Sequence, residues 1–195
     1  FERGNLYIDL GRVTGVMPYD EQIPGERYRT GERIRAILLA VEETPRGIFI
    51  KLSRAHPEFL EKLFAIEAPE LQSGAVVVKA IAREAGSRSK IAVASTDLHI
   101  DPVGSLVGQR GVRGSTVMGE LGGEKIDIIE WSENPSQFIE DALSPARVLT
   151  VTLEETPGEE KARRSVVSVA ADQQSLAIGR GGQNVRMAAK LTGWR

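Results

Sequence analysis

One short pattern occurs twice and constrains this chain more than any other feature. Val107-Gly108-Gln109-Arg110-Gly111 and Ile178-Gly179-Arg180-Gly181-Gly182 both read aliphatic-G-x-x-G, with their first glycines 71 residues apart. Twenty glycines in 195 residues should produce roughly two G-x-x-G matches by accident. Four are present, starting at Gly108, Gly111, Gly119 and Gly179. Only the matches at Gly108 and Gly179 have matching surroundings. Each follows an apolar strand pattern and a short helical stretch, and each leads into a run that ends in glycine fourteen residues on, at Gly122 and Gly193.

A G-x-x-G turn between two helices removes side chains where a sugar–phosphate backbone must come close, and aims helix N-terminal amides at the phosphates. That is the clamp of the KH module, which holds about four single-stranded nucleotides. In this reading Gly108, Gly111, Gly179, Gly181 and Gly182 supply the bare surface. Gln109, Arg110, Arg113, Arg180 and Asn184 supply polar contacts to the strand, and Val107 and Ile178 form a groove floor beside it. Simple core packing is an equal alternative for Val107 and Ile178.

Charge follows the loops. The total is −2, which argues against a generic polyanion binder. Yet no acidic residue lies between Pro102 and Gly119, and from Lys161 to Arg195 seven basic residues face the single acid Asp172. The absence of cysteine removes thiolate metal sites, thiol catalysis and disulfides from consideration and suits a reducing cytoplasm. His56 and His99 do not share a metal-ligand spacing, so neither a metal nor a cofactor is expected. No G-x-x-x-x-G-K-[ST], G-x-S-x-G or H-E-x-x-H pattern occurs, so no catalytic residue is assigned. No apolar run reaches membrane-spanning length, and no membrane partner is expected.

Three units follow from the order of patterns, giving an α+β multidomain chain. Residues 1–54 read as short strands at Asn5–Leu10, Arg12–Met17, Arg33–Val41 and Gly47–Leu52, broken by Pro18 and Pro24-Gly25. Four strands in about fifty residues suggest a small OB-type barrel whose first strand precedes residue 1. Residues 55–131 begin with a helix at His56-Pro57, with Phe59, Leu60, Leu63, Phe64 and Ile66 as its core stripe. Strands at Val76–Ala82 and Lys90–Ser95, a helix capped by Asp101, the first loop, a helix and a strand at Lys125–Trp131 complete the unit. Residues 132–195 repeat that order: a helix capped by Asn134, strands at Arg147–Leu153 and Val166–Ala171 around a turn at Pro157–Glu160, and Asp172 capping the helix into the second loop. Helix-strand-strand-helix-loop-helix-strand is the bacterial (type II) KH order. The second copy lacks its last strand, so both termini read as truncated. Short joints at Leu52–Pro57 and Trp131–Ser136 imply units packed as a rigid rod with one continuous RNA path.

Gly4–Gly11, continuing Val13-Thr14-Gly15-Val16-Met17-Pro18, resembles the RNA-binding OB domain first described in ribosomal protein S-one. Members stack bases on aromatics, which would assign that role to Tyr7, with Phe1 and Phe49 behind it. Filling the barrel core is the even alternative for Tyr7 and Phe49. An OB barrel followed directly by two KH domains resembles the bacterial NusA family of transcription elongation factors. The resemblance is carried by Phe1–Gly11, Gln22–Tyr28, Leu52–Leu60, Gly123–Trp131, Ala142–Ala146, Gln174–Gly179 and Gly182–Arg186. It implies binding of single-stranded nascent RNA in a factor that modulates pausing, intrinsic termination and antitermination. The implied partners are bacterial RNA polymerase, reached mainly through an N-terminal domain absent here, and other antitermination factors. Two alternatives stay open: an RNA module of RNA decay or ribosome assembly, and KH domains serving as a protein-interaction scaffold.

Overall fold

The computed structural model describes residues 4–155 and 163–195. Phe1 and the turn at Pro157–Glu160 lie outside these residues. The chain opens with a four-stranded sheet in the order β1-β2-β4-β3, made of β1 (Leu6–Asp9), β2 (Thr14–Met17), β3 (Ile37–Thr44) and β4 (Gly47–Ser53). β2 and β4 run parallel and the other neighbours antiparallel. The ladder of β3 starts at Ile37 rather than Arg33, because Arg33–Ala36 has no strand partner. Met17, Ile50 and Leu52 form the small core of this sheet, with Leu6 and Ile8 packed against it. Strand alternation then places Tyr7 on the other face, where it is exposed, while Phe49 is half-buried and also outside that core. Core filling by Tyr7 is thereby removed.

The middle of the chain is one three-stranded sheet with helices on both faces. β5 (Val76–Glu84) pairs antiparallel with β6 (Arg88–Ser95), and β6 pairs parallel with β7 (Lys125–Glu130). α1 (Pro57–Glu67), α3 (Pro102–Val107) and α4 (Val112–Glu120) cover one face, with the short α2 (Pro69–Ser73) beside α1. Their core holds Phe59, Leu60, Leu63, Phe64, Ile91, Val93, Leu106 and Val117. Ile66, expected in the stripe, is 56% exposed; it shares the face of Phe59, seven residues earlier, but falls in the last turn of α1, beyond the buried run that ends at Phe64. A bulge at Lys79 explains how β5 serves two cores. Before it, Val76 and Val78 face the first core; after it, Ile81 does, while Ala80 and Ala82 turn to the opposite face.

That opposite face carries the second helical unit. α5 (Pro135–Ala142) and α7 (Gln183–Thr192) pack on it, and their core joins Phe138, Ile139, Met187, Leu191 and Trp194 to Ala82, Ala92 and Ile129 of the first unit. Small alanines let the helices approach closely. β8 (Thr150–Glu154) and β9 (Arg164–Ser168) form an antiparallel pair, and α6 (Gln174–Ile178) leads into the second loop. Arg195 donates from its amide to Arg163 O and accepts from Ser165 N, the start of a parallel rung beside β9. The α5 cap is as expected, with Asn134 Oδ1 accepting from Ser136 N. Asp172 does not cap α6: it sits inside a 3-10 turn at Ala171–Gln173, so the helix begins at Gln174.

Two buried arginines tie the units together. Arg83 and Glu124, both with side chains 0% exposed, pair at 3.0 Å. Arg83 Nη1 also donates to Arg54 O and His56 O, while Glu124 accepts from Gly86 N and Ser89 Oγ. Every member is satisfied, as a buried pair requires. Arg54 uses all five of its N–H donors, on Glu26, Arg35 O and Glu120, and stacks 5.1 Å from the Phe59 ring centroid. It therefore bonds the N-terminal sheet to α4 of the next unit.

Candidate nucleic-acid interface

The two G-x-x-G loops have the same backbone. Gly108 and Gly179 sit at φ 77° with ψ 172° and 168°; Gly111 and Gly182 both sit at φ 74°, ψ 13°. Between them, Arg110 (φ 54°) and Gly181 (φ 62°) occupy the left-handed region. Matching hydrogen bonds close both turns: Gly108 N to Gly104 O and Gly179 N to Ser175 O at 2.9 Å, then Gly111 N to Gly108 O and Gly182 N to Gly179 O at 3.1 Å. Arg110 is the single non-glycine residue at positive φ among those described. Holding an L-residue there costs about 1–2 kcal/mol, and such strain concentrates where a side chain must be aimed.

The glycines play two different parts. At Gly111, Gly181 and Gly182 a Cβ would meet nothing within 4 Å, so the space above them is open to a ligand backbone. At Gly108 a Cβ would lie 2.7 Å from Arg113 Cγ, and at Gly179 2.7 Å from Asn184 N. The first glycine of each loop is thus packed under the residue five positions on.

That packing changes the roles of Arg113 and Asn184. Asn184 is 1% exposed, and its Nδ2 donates to Leu143 O and Ala177 O at 3.0 Å and to Leu176 O at 3.4 Å. Expected at the strand surface, its side chain is instead buried, where it satisfies carbonyls at the end of α6 that have no helical partner. Arg113 does the same for α3, donating to Ser105 O at 2.8 Å and pairing with Glu70 at 2.9 Å, with its side chain 30% exposed. Both hold the loop from behind. Arg186, which sequence reasoning gave no role, braces the second loop further: Nη1 donates to Gly181 O, and the guanidinium pairs with Glu84 of the first unit. The hydrogen bonds that the Arg186 guanidinium donates to Glu84 hold its carboxyl below its ordinary range.

The remaining loop residues face outward. Gln109, Arg110 and Arg180 are exposed, and neither arginine has an ion-pair or hydrogen-bond partner among the described residues. Each loop therefore presents one guanidinium, from its third position in the first loop and its second in the other. Val107 is half-buried, whereas Ile178 is 45% exposed and lines a hollow of about 660 Å³ together with Val185 and Trp194. Val112, 60% exposed in the first turn of α4, lines another of about 660 Å³ beside Gly108. Sequence reasoning passed over both Val112 and Val185; their position just after each loop, on the next helix, was the available signal. Open glycines, first-turn amides of α4 and α7, a free guanidinium and an apolar hollow can together hold an extended chain of phosphates and bases. Among the described residues no group of three or more His, Asp or Glu could hold a metal ion. No described helix is long and apolar enough to cross a membrane.

Comparison with known proteins agrees with this architecture. Residues 54–131 match the NusA-like first KH domain and residues 135–195 the NusA-like second KH domain. The chain is 49% identical over 191 residues to the transcription termination/antitermination protein NusA of Halalkalibacterium halodurans, covering 97% of this chain and 48% of that protein. Identity is 49% over 190 residues with the Bacillus subtilis protein of that name (97% and 50%) and 50% over 192 residues with that of Thermus thermophilus (98% and 48%). The chain spans about half the length of the curated relatives it matches.

Proposed function

Because the chain belongs to the NusA family, we propose that it binds single-stranded nascent RNA across its two glycine loops, within a factor that modulates pausing, termination and antitermination of bacterial transcription. The observation that carries this reading is the duplicated loop backbone, with open space over Gly111 and Gly182 and, per loop, one arginine without an ion-pair partner among the described residues. Gln109, Arg110 and Arg180 contact phosphates and position the strand, while the hollows at Val112 and at Ile178 and Val185 receive bases. Residues 1–54 act as an OB-type module with exposed Tyr7 as a stacking platform, residues 55–131 as the first KH unit and residues 132–195 as the second. RNA polymerase and other antitermination factors are the protein partners, in the cytoplasm.

The test is fluorescence anisotropy of a labelled single-stranded RNA across salt concentrations. Gly111→Asp and Gly182→Asp are the variants of choice, because a side chain there meets open space, whereas one at Gly108 or Gly179 would displace a neighbour. Each should weaken binding and reduce the salt slope by about 0.7 for every phosphate the loop no longer holds. Unchanged binding by both variants, with native circular dichroism, would overturn the reading.

A further inference from the structure

A hollow of about 560 Å³ lies where the two helical units meet. Its apolar wall includes Val103, Ala146 and Val148, and its polar wall Glu130, Glu140, Arg147 and Asp141, whose carboxylate accepts from Gln137 Nε2. The side chains of Glu130, Glu140 and Arg147 are exposed and make no hydrogen bond or ion pair among the described residues. Exposed pairs of this kind are worth little, so Arg147 remains available to a ligand even with carboxylates nearby.

The hollow connects to both loops. Val103 and Val107 stand four residues apart on α3 and so share one helix face; that face runs from the first loop to the hollow. On the far side, the Arg147 amide donates to Gln173 Oε1 at 2.9 Å, which fixes Arg147 at the entrance of α6. Four residues apart on α6, Gln174 and Ile178 both line the hollow of the second loop. The seam hollow therefore sits between the two grooves, and each unit supplies one side of it.

We propose that this seam hollow is a nucleotide subsite that passes one RNA strand from the first loop to the second, accepting a base with an exocyclic amino group and disfavouring uracil. The proposal rests on the RNA-binding reading of the loops. Glu130 and Glu140 repel phosphate, so the sugar–phosphate backbone stays outside against Arg147 and the base turns inward. Val103, Ala146 and Val148 contact the base faces. The carboxylates accept N–H from adenine, cytosine or guanine amino groups, as acidic side chains do from cytosine N4. Uracil turns carbonyl oxygens on both sides of its single N–H toward the same carboxylates, and discrimination comes from that repulsion as much as from the missing bond.

The experiment walks a single uridine through an oligoadenylate of about twelve nucleotides, two four-nucleotide clamps plus the seam, and measures anisotropy with the full chain. Wild type should show one window near the middle where uridine weakens binding about tenfold, the scale of one good base contact. In Glu130→Gln/Glu140→Gln that penalty should vanish, because a carboxamide both donates and accepts. Arg147→Gln should weaken every oligonucleotide alike and lower the salt slope by about 0.7. If no middle window exists, or if it persists in the double variant, the seam proposal is wrong. Binding that is still abolished in Gly111→Asp and Gly182→Asp would then leave the RNA reading intact. Binding that survives in both loop variants would overturn that reading and the seam subsite with it.

Discussion

Asn184→Ala separates the two roles this position could have. The side chain makes two hydrogen bonds of 3.0 Å, to Leu143 O and Ala177 O, plus a longer one to Leu176 O. Leu143 O keeps a second donor, the Ala146 amide, so its loss is one ordinary bond of about 1 kcal/mol. Ala177, by contrast, is buried at the end of α6, and an unsatisfied carbonyl there costs about 1–3 kcal/mol. The expected destabilisation is therefore about 2–4 kcal/mol, read by urea unfolding through Trp194 fluorescence. The Cβ packed against Gly179 survives in alanine, so the folded protein should keep RNA affinity and salt slope near their wild-type values. Asn184→Asp should be worse at neutral pH, since its carboxylate would face three carbonyl oxygens. Its folded pKa would be raised above the unfolded one, so the variant regains stability as pH falls. A stability loss under about 0.5 kcal/mol with a salt slope reduced by about 0.7 would mean that Asn184 touches phosphate, and the structural assignment would fail.

Two further predictions concern the joints between units. Arg83→Met leaves the Glu124 carboxylate buried without its cation and should cost about 3–5 kcal/mol; calorimetry showing an unchanged melting temperature would contradict the joint's importance. Lys90 has a fully buried side chain, pairs with Asp127 at 2.9 Å and donates to Ser144 O of the second unit. Burial pushes its ammonium below the ordinary 10.5, with Asp127 opposing. A lysine with a lowered folded pKa binds fewer protons folded than unfolded, so stability rises with pH between the folded value and 10.5. Wild type should therefore gain stability relative to Lys90→Met over that alkaline range, and parallel pH profiles for the two proteins would refute it.

The loops were legible in the sequence because their chemistry is local. Positive φ and close packing select glycine residue by residue, so two copies with matched flanks carry their geometry in the order of amino acids. Helix starts with a polar residue before proline, at His56-Pro57 and Asn134-Pro135, were legible for the same reason. The misreadings arise where a distant partner decides. Asn184 and Arg113 follow a basic loop and look like ligand contacts; what buries or occupies them is a carbonyl of the preceding helix, Leu143 or Glu70. Asp172 fits an N-cap pattern, but the chain enters α6 through a 3-10 turn that moves the helix start one residue on, to Gln174. Arg83 and Glu124 are 41 positions apart, and no local rule pairs them.

How the second loop is aimed follows from where its helix rests. α7 starts at Gln183, just after Gly182, and its first turn reaches the first unit twice, through Gln183 to Ser87 and Arg186 to Glu84. Its buried face then lies on β5 and β6 over Ala82 and Ala92. Both anchors belong to the β5–β6 hairpin, whose turn is fixed to β7 through the Gly86 N–Glu124 bond. The first loop is referenced to that same sheet from the opposite face, since α3 and α4 bury Leu106 and Val117 against Ile91 and Val93. One strand, β6, thus carries Ile91 and Val93 toward the first loop's helices and Ala92 toward the second's. The sizes differ for a reason: branched side chains fill the core under short helices, and a methyl admits a ten-residue helix close to the sheet. The alternation along β6 therefore sets the spacing between the two clamps, and no linker is needed to hold it.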